Sequence, residues 1–261
     1  MAHAKLSPSS AHRWLNCPAS VVVSEGIEDK GSSYAAEGTA AHYLASEALL
    51  EKLHIHQKLC QTVIVDDKGE CTLALPNSRI TGINDRVYRI DTNMVNHVHN
   101  YIDFVQKIVR DTKGTLFVEQ SLSLEHITGE QGAKGTSDSV ILTDNEIIIV
   151  DLKYGMGVKV EAEHNEQLML YALAALNEYD FYADFKQARL VIHQPRINHV
   201  SEWTISTDEL KAFGEQVNRA ANYIGTLDHD SLDETDYCVS NDTCKFCKAL
   251  PTCPQAQNAV F

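Results

Sequence analysis

No apolar run in the sequence approaches the roughly 20 residues that a membrane-spanning helix needs, so a helical transmembrane protein is not expected. The first residues, Met1-Ala-His-Ala-Lys-Leu-Ser7, lack the apolar core of a secretory signal, and the expected location is the cytoplasm, with no membrane partner. Positive charge is scarce. Lys and Arg number 22 against 36 Asp and Glu, a net charge of -14, which argues against a broad phosphate-binding face. A nucleic-acid partner would have to be held in a local groove with the help of metal ions. Internal repeats and low-complexity segments are also missing, which sets aside solenoids and disordered tails. What is present is an ordinary globular mixture, 44% hydrophobic and 22% charged, over 261 residues: enough for one large domain, or a domain with a lobe.

Residues 135–153 carry the strongest local pattern, Gly-Thr-Ser-Asp-Ser-Val-Ile-Leu-Thr-Asp-Asn-Glu-Ile-Ile-Ile-Val-Asp-Leu-Lys. Two β-branched runs flank a Thr-Asp-Asn turn, which predicts a hairpin. Residues 147–150 are continuously apolar and read as a strand buried on both faces. Asp151 and Lys153 follow two apart, hence on one face of that strand, and the hairpin brings Asp138 near Asp151. Two carboxylates and a lysine beside a hydrophobic sheet suit Mg²⁺ or Mn²⁺, with the lysine orienting a water. The same residues also read as an Asp-Lys salt bridge at a strand end plus an aspartate near a turn.

Helices are expected over residues 11–16 after a serine cap, 34–53, 92–111, 163–176 and from a Ser206-Thr-Asp-Glu209 capping box towards Ile224. Gly38 in the second helix points to a position near its start or to a close backbone approach. Strands are expected at 62–65 and 71–75 as a hairpin, at 116–122 carrying Glu119, and at 188–193 and 200–205, with a polar loop at 26–33. Helices before and after a sheet of about five strands give an α/β fold. Residues 1–60 form a helical N-terminal portion, 115–205 the central sheet and helix, and 227–261 a small C-terminal Cys-rich lobe.

His42, in Glu37-Gly-Thr-Ala-Ala-His42, could complete a carboxylate metal site or be an ordinary surface histidine. Gln167 and Tyr171, four apart on one helix face, could touch substrate or brace the strand beneath. The pairs His54/His56 and His97/His99 read as solvated, and Cys60 and Cys71 as hairpin core. Seven cysteines, odd in number and unevenly spaced, read as metal or cluster ligands before disulfides. Cys244-Lys-Phe-Cys247 with Cys253 needs a fourth sulfur. Cys238 would complete a zinc site, and Cys17 a [4Fe-4S] cluster.

Taken in order, Cys17-Pro18, Glu37-Gly-Thr-x-x-His42, Gly135-x-x-Asp138, Asp151-x-Lys153, Gln167-x-x-x-Tyr171 and Cys244-x-x-Cys247-x5-Cys253 resemble the RecB-like and Cas4-like branch of the PD-(D/E)XK nucleases. The stretch from Asp151-Leu-Lys-Tyr-Gly to Gln-Leu-Met-Leu-Tyr-Ala-Leu is similar to a phage and prophage group within it, DUF2800. The resemblance implies a restriction-endonuclease-like core, a central mixed sheet flanked by helices. It also implies a Mg²⁺- or Mn²⁺-dependent deoxyribonuclease, an exonuclease by expectation, working in phage DNA recombination or processing on single- or double-stranded DNA alongside other recombination proteins. His42, Asp138, Asp151 and the Leu152 carbonyl would be metal ligands and Lys153 the catalytic lysine, with Glu119 at a less constant acidic position. Gln167 and Tyr171 would line the DNA path, and Cys17, Cys244, Cys247 and Cys253 would hold [4Fe-4S]. The acidic charge supports a second expectation, a non-catalytic DNA-handling protein that keeps the nuclease fold.

Overall fold

The structure, a computed structural model, describes residues 4–27, 33–66, 68–75 and 86–258. The expected polar loop at 26–33 lies largely outside them, as does Asp67 of the first hairpin turn. A 3-10 turn at Pro8–Ser10 leads into α1 (Ala11–Asn16), α2 (Ala19–Val23) and the long α3 (Ser33–Leu49). Strands β1 (Thr62–Val65), β2 (Cys71–Ala74) and β3 (Arg86–Arg89) precede α4 (Thr92–Thr112). Then come β4 (Thr115–Ser123), α5 (Glu125–Thr128), β5 (Lys134–Leu142), β6 (Glu146–Leu152), α6 (Glu166–Glu178), β7 (Gln187–Gln194), β8 (His199–Ser206), α7 (Thr207–Ile224) and α8 (Asn241–Cys244).

These elements make a mixed α/β fold with two sheets. The larger has the order β4-β5-β6-β7-β8, antiparallel except where β6 runs parallel to β7. A parallel neighbour needs a crossover, and α6 supplies it. Ile147, Ile148, Ile149 and Val150 are wholly buried because both faces of β6 are covered. Ile147 and Ile149 pack with α6 and α7, while Ile148, Val150 and Leu152 pack with α3 and α4. Helix α6 lies deep, with every residue from Leu168 to Leu176 buried.

The local signals explain most boundaries. Asp91 caps α4 by accepting from the Met94 amide, and Val95, Val98, Ile102, Val105 and Ile108 put its apolar stripe on the sheet. The Ser206–Glu209 capping box is formed as expected. Helix α6 begins later than expected, at Glu166, because the Asn165 side chain takes the Leu168 amide and ends the loop there. No serine side chain caps α1. Instead the Ser7 carbonyl accepts from the Ser10 amide and from Trp14 Nε1, which seats the buried tryptophan. The small sheet, β2-β1-β3, gains a third strand that the sequence pattern did not indicate.

Cys60 is exposed with φ 70° outside any strand and is not a hairpin core position, whereas Cys71 opens β2 and packs, half-buried, against the core. His54 and His56 are exposed, as expected, although His54 lies outside any helix. His97 and His99 are half-buried, His97 packing against Tyr154 and His99 making an edge contact with His56 at 4.8 Å. Gly38 is the sixth residue of α3 and faces open space rather than another backbone. Among the described residues, no helix is long and apolar enough to cross a membrane.

Candidate metal centre

The β5–β6 register runs from Leu142↔Ile147 to Ser139↔Val150, so the next step sets Asp138 across from Asp151. On the other side of β5, Val118 pairs with Ser139 and Gln120 with Ser137, which leaves Glu119 facing Asp138. Glu119 has φ 49°, a left-handed backbone that costs a glutamate about 1–3 kcal/mol. The third element is α3. Its alanines at 40, 41 and 45 are buried, and small side chains let the helix lie close to the sheet with His42 over the strand ends. His42 Nδ1 lies 2.9 Å from Asp138 Oδ1. Each of His42, Glu119 and Asp138 offers a ligand atom within 4.8 Å of the other two. They border a small, tight cleft whose wall includes Tyr101 and Leu152.

A family model described as "Protein of unknown function (DUF2800)" matches residues 3–261. The chain belongs to the DUF2800 family. It is also similar to a solved structure described as "Crystal structure of SSO0001", at 16% identity over 62% of this chain and 71% of that one, with a TM-score of 0.33.

In this DUF2800 chain Asp151 stands outside the group of three. Its Oδ1 accepts from Gln167 Nε2 at 3.3 Å, and Lys153 Nζ lies 2.9 Å from Oδ2. That ammonium approaches Oδ2 at ion-pair distance but outside hydrogen-bonding geometry, so the oxygen is buried without a hydrogen-bond partner. The lysine donates instead to Gln167 Oε1 at 2.8 Å. Gln167 therefore fixes both charged partners and is engaged with them rather than offered to a ligand. Tyr171 does not line an open path. It is buried, and a Cβ on Gly135 would meet its ring at 2.9 Å, so it braces β5 from below. Leu152 contributes through its amide, which donates to Asp138 Oδ2 at 2.7 Å.

The charges are strongly interdependent. Burial would depress the His42 imidazole, but the charge and hydrogen bond of Asp138, with Asp151 behind, carry its pKa up to about 9. Burial opposes ionisation of Asp138 too, yet His42, the Leu152 amide and Lys153 hold its carboxyl below the usual range. For Asp151 burial wins over Lys153, with Asp138 adding to it, and its pKa is raised. Glu119 is exposed as a residue, but desolvation of its carboxylate and the neighbouring Asp138 push its pKa up to about 7. This crowding of like charges is what a cation would relieve.

Tyr101 was not singled out by the sequence. Its hydroxyl meets Ser139 Oγ at 3.0 Å and donates to the Val150 carbonyl at 3.4 Å, next door to both aspartates. The one available signal was a tyrosine on the apolar stripe of α4, whose hydroxyl must find a partner when buried.

Five of the cysteines lie around the end of α1 and the C-terminal segment. Cys17, Cys244 and Cys253 are buried, Cys247 is half-buried, and all are free thiols. Burial raises the Cys17 pKa, the Cys238 and Ser20 amides lower it, and Cys247 and Cys244 are close enough to add to the rise. Tyr237 feels both Cys253 and Cys17. Arg13 of α1 donates to the Phe246 carbonyl at 2.7 Å, between Cys244 and Cys247. Cys238 presents its amide to the Cys17 sulfur.

Proposed function

We propose that this protein is a Mg²⁺- or Mn²⁺-dependent deoxyribonuclease with a restriction-endonuclease-like core of the RecB-like and Cas4-like kind, acting as an exonuclease on phage or prophage DNA. The observation that carries the reading is the convergence of His42, Glu119 and Asp138 beside a lysine held on Asp151. Two carboxylates and an imidazole are a hard donor set, and the unrelieved repulsion between Glu119 and Asp138 fits a resident divalent cation. His42, Glu119 and Asp138 would hold the ion. When bound, it would polarise a phosphoryl oxygen and lower the pKa of a water.

The chain's own residues do the rest. Lys153, fixed by Gln167 and Asp151 and close enough to act on the charges of Asp138 and His42, orients the attacking water and offsets charge that develops on the phosphate. Asp151 holds Lys153 in place through their ion pair. Tyr101 ties β5 to β6 and so holds the Asp138–Asp151 separation.

Cys17, Cys244, Cys247 and Cys253 would hold a structural [4Fe-4S] cluster that pins α1 to the C-terminal segment. Cys17 lies close enough to sense Cys244 and Cys247, and Cys238 meets its sulfur through a backbone amide, which supports Cys17 as the fourth sulfur; zinc through Cys238 is the alternative.

The test is cleavage of end-labelled single- and double-stranded DNA with Mg²⁺ or Mn²⁺. Asp151→Ala and Lys153→Ala are expected to abolish digestion while leaving the fold and the brown cluster colour intact. Wild-type digestion rates in both variants would sink the assignment. The net charge of -14 favours a second reading, a non-catalytic DNA-handling protein on the same fold. Calorimetry with Mn²⁺ separates the two, because a scaffold has no need of an ion at Asp138.

A further inference from the structure

The parallel pairing of β6 and β7 puts their carboxyl ends on one edge of the sheet. β6 ends there in Asp151 and Leu152, with Lys153 next. β7 ends there in Gln194 and turns through Pro195–Ile197 into β8. Arg196 sits at the tip of that turn. In a chain with a deficit of cations, an arginine on the edge that carries the metal centre is conspicuous, and its surroundings hold it still.

The guanidinium lies 4.8 Å from the centre of the Tyr154 ring, and Tyr154 directly follows Lys153. Tyr154 is buried, so the ring is a fixed plate whose position is tied to that of the lysine. On its other side Arg196 Nη1 lies 2.9 Å from Glu37 Oε2 on α3, five residues before His42. The Arg196 side chain keeps 18% exposure and Glu37 29%, so both are largely covered but reach solvent. Among the described residues, Asp91, His97 and Tyr88 also sense this cluster, and Arg86 acts on Tyr88. Asp91 is engaged as the α4 cap, and burial and Arg196 hold His97 below its usual pKa.

We infer that Arg196 is the anchor for a backbone phosphate of the substrate strand, kept ready by Tyr154 and exchanged from Glu37 to the phosphate on binding. This rests on the nuclease reading and adds to it the group that binds the strand next to the scissile bond. A planar fork stacked on an aromatic face has little freedom left to lose on binding and suits two phosphate oxygens at once. Glu37 serves as a placeholder: it neutralises the arginine in the free protein and is the weaker partner once a phosphate arrives with its counterion release.

The experiment is fluorescence anisotropy of a labelled single-stranded oligodeoxynucleotide with the full-length protein across a salt series, with Mn²⁺ calorimetry alongside. Arg196→Gln is expected to weaken oligonucleotide binding by about tenfold or more and to make the log–log salt slope shallower by about 0.7, the value for one single-strand phosphate. Its Mn²⁺ affinity is expected to match wild type. Arg196→Lys should keep the slope and lose part of the affinity, because the charge remains and the stacked fork does not. If Arg196→Gln fails to fold, Glu37→Gln decides: it frees the arginine and is expected to bind the oligonucleotide several-fold more tightly. Unchanged affinity and slope in Arg196→Gln, or weaker binding in Glu37→Gln, overturns the inference while the nuclease reading stands. If the wild-type protein binds no oligonucleotide with or without Mn²⁺, both fall.

Discussion

Metal binding at this centre should release protons. The His42 pKa near 9 means that at pH 7 about 99 in 100 free molecules carry a protonated imidazole that cannot ligate. Removing that proton costs about 2.7 kcal/mol, two pH units at about 1.4 kcal/mol each. Glu119, with a pKa near 7, is half protonated at the same pH. Raising the pH from 7 to 8 should therefore strengthen apparent Mn²⁺ affinity about ninefold through His42 and about twofold through Glu119, together roughly 15- to 20-fold. The sign follows from both pKa values being raised: the proton competes with the ion below them and ceases to compete above them. Calorimetry in buffers of different ionisation enthalpy measures the effect directly, with about 1.5 protons expected to leave per ion at pH 7. His42→Gln should bind more weakly and lose the steep part of the pH dependence. Affinity that is flat between pH 6.5 and 8.5, or proton release in His42→Gln that stays at about 1.5 per ion instead of falling to the Glu119 share of about 0.5, would refute the assignment of His42 as a ligand.

Further outcomes follow from other sites. His193 is buried against Tyr101 and Phe104, and burial holds its pKa down to about 4, so the unfolded chain takes up a proton between about pH 4 and 6.5 that the folded chain refuses. Stability should fall by up to about 3 kcal/mol as the pH drops through that window, and His193→Phe should remove much of that fall in denaturant titrations. Glu119→Gly should relieve the left-handed backbone and raise stability by about 1 kcal/mol while weakening Mn²⁺ binding; a lower melting temperature would count against strain at this residue. Gly135→Ala should cost about 1–3 kcal/mol, because the new methyl would meet Tyr171 and Pro8 at 2.9 Å. Wild-type thermal stability in that variant would show that Tyr171 can move aside.

The sequence announced what depends on period and spacing, and little that depends on one residue's backbone. The buried strand at 147–150, the stripe of α4 and the capping box at Ser206 follow from local rules, and the hairpin register brought Asp138 to Asp151. His42 came into view only through its place in an ordered set of motifs, since an isolated histidine on a helix has many uses. Glu119 could not be read as a partner of Asp138, because its carboxylate is aimed by a positive φ that no residue pattern encodes. For Tyr171 the sequence left two readings open, touching substrate or bracing the strand, and its burial against Gly135 fits the second. Spacing of four put it on the face of Gln167, but whether that face meets solvent or Gly135 is decided by how close α6 sits to β5. Arg196 and Glu37 lie far apart in the chain and meet only because β7 runs parallel to β6.

The joining of Cys17 to the cysteines near the C-terminus has a consequence for how the molecule is made. At ribosomal rates of about 5–20 residues per second, Cys17 leaves the ribosome of the order of tens of seconds before Cys244, Cys247 and Cys253 exist. If these four thiols hold a cluster, as proposed, the nascent chain cannot load it until Cys253 has been made, and a product truncated before Cys244 would lack it.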